Sequence, residues 1–116
     1  MKISRSASLL VIVLAMAGCR SHMVTISLLN TSKEPISTII VDYPSATFGK
    51  DKLAPSETFS SPVKLIDTGP IKVQFTDVKG TIHHHTGPVV LPNAEGTIEI
   101  KLDQSDATVT SHLIGH

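Results

Sequence analysis

From residue 24 onward, apolar and polar positions alternate in short runs, and each run is bounded by turn-forming residues. Val24, Ile26 and Leu28 are separated by Thr25 and Ser27, the period of two that marks a strand with one buried face. Residues 36–43 form the most apolar run of this region. Ile39, Val41 and Tyr43 fall on one face and Ile40 on the other, as in a central strand, and Pro44 ends the run. In residues 71–76 the alternation is cleanest, with Ile71, Val73 and Phe75 inward and Lys72, Gln74 and Thr76 outward. Residues 97–102 alternate equally well. A weaker run at 57–64 turns Phe59 inward but is broken by Pro62, which places it at a sheet edge. Residues 81–86 and a more polar final run at 107–113 complete the set.

The punctuation between the runs is equally informative. Asp77-Val-Lys-Gly80 carries Asp at the first and Gly at the fourth position of a type I turn, so residues 71–76 and 81–86 are predicted to form a hairpin. On that phase Ile82 and His84 face inward, and Thr81, His83 and His85 face water. Residues 45–56, with Gly49, Lys50, Asp51, Lys52 and Pro55, read as a long connection crossing between sheets, plugged by Phe48 and Leu53. Residues 87–92 are a short apolar piece with prolines, either a crossover or an edge. No segment after residue 23 has helical periodicity. About seven short strands with turns between them predict an all-β fold, an antiparallel β-sandwich of immunoglobulin-like or similar Greek-key type, with a small barrel as the alternative.

The first 23 residues follow a different pattern. Lys2 and Arg5 precede an apolar run from Leu9 to Ala17, and small residues follow at Ala17 and Gly18. That order is the signature of a secretory signal peptide, and the run is well short of the roughly 18–20 apolar residues a spanning helix needs. Met16-Ala17-Gly18-Cys19 resembles the lipobox of bacterial lipoproteins, with Met16 where the family usually has Leu. The resemblance implies cleavage before Cys19, a lipid on its thiol and a membrane-anchored mature protein. Arg20 stands where inner-membrane lipoproteins of enteric-type bacteria carry Asp, so the resemblance favours the periplasmic face of an outer membrane in a diderm cell. The expected organisation is residues 1–18 as signal, 19–23 as lipidated cysteine and tether, and 24–116 as one β-sandwich. The mature domain also resembles the small envelope lipoproteins built as one such sandwich.

Composition narrows the function. Ten basic residues balance ten acidic ones, and loss of Lys2 and Arg5 with the signal leaves eight against ten. That is no footprint for nucleic acid and no polybasic patch for anionic lipid. Of Phe, Tyr and Trp the chain has three, one and none, too few to furnish both a core and a stacking platform for sugars or bases. Cys19 is the sole cysteine, so no internal disulfide exists, and lipidation accounts for its presence.

His83-His84-His85 is the one unusual cluster. On a strand, His83 and His85 share a face, and with His112 as third ligand they form a candidate transition-metal site. No acidic residue adjoins the cluster in sequence to orient the rings. The chain has no Gly-x-Ser-x-Gly elbow, no His-Glu-x-x-His pair and no glycine-rich phosphate loop, which argues against an enzyme and against a bound cofactor. The expectation is a lipid-anchored envelope protein acting as a non-catalytic binding or structural module, its partners a membrane and an envelope protein. The alternative is periplasmic metal binding through His83 and His85.

Overall fold

A computed structural model describes residues 22–114. The signal segment, Cys19 and His116 lie outside the described residues. Eight strands follow one another without a helix among the described residues: β1 (Val24–Asn30), β2 (Ile36–Tyr43), β3 (Ala46–Leu53), β4 (Thr58–Val63), β5 (Gly69–Thr76), β6 (Ile82–Val90), β7 (Glu95–Leu102) and β8 (Ala107–Ile114). They form two four-stranded sheets, ordered β4-β1-β7-β8 and β3-β2-β5-β6. The protein is a β-sandwich. Three hairpins (β2–β3, β5–β6 and β7–β8) supply most of the pairing, and β1 runs parallel to β7.

The alternation of the chain becomes the core directly. Val24, Ile26 and Leu28 from β1 and Ile98, Ile100 and Leu102 from β7 face Ile39 and Val41 from β2 and Ile71, Val73 and Phe75 from β5, all of them buried. Burying side chains of this size removes about 1.5–3 kcal/mol of unfavourable hydration each, and it is this that holds the two sheets together. Ile36 is buried as well, although it lies three residues before Ile39. A β-bulge resolves the phase: the register with β5 shifts between Ser37 and Ile40, and Thr38 takes a φ of 48°.

The two open sides of the sandwich close differently. On one side, Tyr43, Phe48 and Phe59 form a row with ring centroids 6.4 Å apart, joining β3 to β4, and the Lys50 ammonium lies 4.9 Å from the Phe59 ring centre. On the other, β6 approaches β8 at Gly87. A Cβ there would stand 3.1–3.2 Å from the branched side chain of Val109, so the absence of one lets the sheet edges meet.

Three sequence expectations change. Residues 45–56 are not a crossing loop, because 46–53 form β3, paired with β2 through the tight turn at Pro44 and Ser45. Their polar composition reflects an edge strand whose burial falls on Phe48, Lys50 and Leu53, with the remaining positions exposed. The apolar piece beginning at Gly87 continues β6 as far as Val90. Finally, the phase of β6 is inverted. Phe75 pairs with His83 and Val73 with His85, and directly paired residues share a face. His83 and His85 therefore turn inward, while Ile82 is 55% exposed. The hairpin register outweighs the hydrophobicity of one isoleucine.

Candidate functional site

The inward phase of β6 sets up the chemistry at one end of the sandwich. The turn between β5 and β6 closes through Asp77 N–H to Thr81 O (2.9 Å) and Gly80 N–H to Asp77 O (3.1 Å). The Asp77 side chain then takes three donors. Its Oδ1 accepts from the Lys79 and Thr81 amides, both at 2.9 Å, and its Oδ2 lies 2.8 Å from His83 Nε2. The His83 bond, followed by the backbone donors, holds the Asp77 carboxyl below its ordinary pKa of 3.8. An ionised carboxylate only accepts, so Nε2 of His83 carries the proton in this pair. The ring of His83 stacks on Phe75 with centroids 5.0 Å apart and planes 22° from parallel. Ring orientation is thus fixed by the core on one side and by a carboxylate on the other.

Gln104, from the turn between β7 and β8, ties this hairpin to its neighbours. Its Oε1 accepts from the Val78 amide (2.9 Å), and its Nε2 donates to Ser32 Oγ (2.9 Å), Glu34 O (3.1 Å) and Pro35 O (3.3 Å). Behind it sits Asn30, the one fully buried polar residue of the described core. Asn30 Nδ2 donates to Glu34 O (2.8 Å) and Leu53 O (3.0 Å), and its Oδ1 accepts from the amide and hydroxyl of Ser32. Three loops, at 31–35, 77–81 and 103–106, are joined into one surface. Between them lies a recess of about 450 Å³ lined by Glu34, Asp77, Val78, Lys79, His83, Gln104 and Ser105. Such a recess, with oriented polar groups around an apolar Val78, has the make-up of a small-ligand or side-chain binding site.

The histidines of the sequence cluster do not act as one group. His83 belongs to this recess. His85, on the same face of β6, places Nδ1 3.4 Å from Asp106 Oδ1 across the gap to the other sheet, and Asp106 is 73% exposed. His84 points outward, into a second concavity of about 400 Å³ on the outer face of the β3-β2-β5-β6 sheet, beside Ile40, Asp42, Lys72 and Gln74. His112 pairs with Thr97 on the outer face of the opposite sheet, away from the side that His83 and His85 face. The structure brings Asp77 to His83 and Asp106 to His85, and it does not bring His112 to either. Among the described residues no group of three or more His, Cys, Asp or Glu surrounds a common point.

Sequence reading missed Asp77, Gln104 and Asn30 as organising residues. Asp77 had a signal, since Asp opening a turn bonds its own backbone two residues on. Its bond to His83, six residues away, follows from the hairpin register. Asn30 had the same signal, since its Oδ1 accepts from the Ser32 amide two residues on, but none for its bond to Leu53. Gln104 had none, because its partners lie up to 72 residues away along the chain. No family model, no curated protein and no solved structure matches this chain.

Proposed function

We propose that the protein is a lipid-anchored component of a bacterial cell envelope that works by binding or structural presence, without catalysis. The observation that carries this reading is Met16-Ala17-Gly18-Cys19 directly after a basic start and a short apolar run. Small side chains let the backbone enter a signal peptidase, and the thiol is the group that takes the lipid. The fold is in keeping with it. A sandwich with no internal disulfide, whose rings are spent on the core and on closing one side, is a compact module to be held at a surface.

The far-end recess is the working surface in this reading. Asp77 is saturated by three donors and acts as the brace of a turn. His83 Nε2 is committed to that brace, which leaves Nδ1 of the ring as its free polar position. These groups suit recognition better than proton transfer.

Expression of the full chain in a diderm bacterium with labelled palmitate tests the anchor. The wild type should be shortened and labelled, and Cys19→Ser should accumulate as an unlabelled precursor. A Cys19→Ser protein that matures and fractionates with membranes like the wild type would overturn the reading.

A further inference from the structure

We infer that the end of the sandwich opposite the recess is a bilayer-facing surface, whose exposed apolar side chains enter the edge of the membrane that holds Cys19. The inference rests on the lipid-anchor reading and adds an orientation to it.

Strand register gathers these side chains. Val24 lies opposite both Val63 and Gly96, Glu95 opposite Ile114, and Gly69 opposite Val90. The Asn93 amide donates to Leu65 O at 2.9 Å, which joins the segment after β6 to the loop after β4. Met23, Ile66, Val89, Leu91 and Ile114 therefore share one end. They are 43%, 61%, 63%, 55% and 68% exposed, whereas the opposite end shows only Val78 and Ile82 among large exposed apolar residues. Single exposed apolar side chains are ordinary, but several gathered on one surface mark contact with a non-aqueous neighbour.

The chain itself says which neighbour. Met23 belongs to this apolar end and is four residues from Cys19. Four residues reach at most about 14 Å when fully extended, so this end stays within that distance of the acyl chains while the recess end does not. Charge excludes attraction to anionic headgroups as the main force. Lys64 is followed by Asp67 in the same loop, and Glu95, also at this end, lies 3.1 Å from His22, so cations do not dominate the surface. Contact is by apolar insertion, and it should not depend on lipid charge.

The test uses the full chain purified from membranes and reconstituted in two kinds of vesicle: phosphatidylcholine alone, and phosphatidylcholine with phosphatidylglycerol. Variants Ile66→Cys and Leu91→Cys, with Val78→Cys as control, carry an environment-sensitive fluorophore. Labels at 66 and 91 should be quenched several-fold more by a lipid-borne quencher than the label at 78, equally in both vesicles. The label at 78 should be the one reached by aqueous iodide. Equal iodide access at all three positions, in protein whose mass shows lipid on Cys19, overturns the orientation and leaves the anchor standing. Labels at 66 and 91 hidden from both quenchers would show that a protein contact covers this end, and that also overturns the inference. Unmodified Cys19 in the mass spectrum overturns the anchor reading and this one with it.

Discussion

The two ends of the sandwich are built from the same strands but differ in how densely side chains tie their loops together. At the recess end, side chains bond to backbone: Asn30, Asp77 and Gln104 together engage atoms of three loops. At the other end, around Met23, the exposed side chains include Ile66, Val89, Leu91 and Ile114 beside the polar Lys64, Asp67 and Asn93. Its loops are tied by the Asn93–Leu65 backbone bond and by the Ile66 amide donating to Ser45 Oγ at 2.8 Å, with no counterpart of the three-loop network among the described residues. Loops that face water can satisfy polar groups either internally or with solvent. Satisfying them internally with side chains fixes the shape of the loops, which suits the recess end to the recognition proposed for it.

This contrast can be broken most severely at the Met23 end, where the close approach of Gly96 to the paired strand leaves no slack. Gly96 holds a φ of 130°, and a Cβ there would overlap the His112 carbonyl oxygen of the paired strand. Gly96→Ala combines that overlap with a backbone conformation L-residues avoid, and it should cost about 3–5 kcal/mol in urea denaturation. A domain at the low end of ordinary stability, about 5 kcal/mol, would be left marginal. At the recess end the largest effect should come from Asn30→Ala. It strips partners from the Glu34 and Leu53 carbonyls and should cost about 2–4 kcal/mol, read as a fall in Tm. If Asn30→Ala proves neutral, water replaces the network and the contrast between the ends fails.

The sequence showed these ends unequally, and the reason is physical. Strand positions such as Val24, Ile71 and Phe75 were legible because burial repeats every second residue, a local rule. The hairpin at Asp77–Gly80 was legible because turn chemistry is local too. The face presented by His83 was misread because it depends on pairing, where Phe75 lies opposite His83 and the neighbouring Ile82 is carried outward. β3 was missed because its polar residues Thr47, Lys50, Asp51 and Lys52 suit an edge strand as well as a loop. Gln104 and the Asn30–Leu53 bond were invisible, since those partners are set by how the strands and hairpins stack. What is local could be read, and what is set by stacking could not.

Acid titration sharpens the contrast at smaller scale. The Asp77 carboxyl is held below 3.8 in the folded protein, so its ionised form is favoured by folding. The stability it contributes is complete above the unfolded value and is lost as pH falls through the lowered folded value. Between the wild type and Asp77→Asn, the gap in denaturation midpoint should therefore be constant near neutrality and narrow below about pH 4. A gap that stays the same down to pH 2 would show that His83 and the two amides do not favour the charged form.

The smallest effect on stability is expected where the proposed function would be most altered. Ile66 and Leu91 are exposed by more than half and stand outside the buried cluster, so Ile66→Ser with Leu91→Ser removes little burial on folding. Surface changes of this kind usually fall within about 0.5 kcal/mol, and serine also lowers the cost of facing water. The double variant should unfold at the wild-type urea concentration, or slightly above it. In contrast, Gly96→Ala, a few residues along the same end, should approach global instability. A loss of 2 kcal/mol or more in the double variant would mean that these side chains pack into the domain. The Met23 end would then be a continuation of the core, and its exposed apolar side chains would need no membrane to explain them.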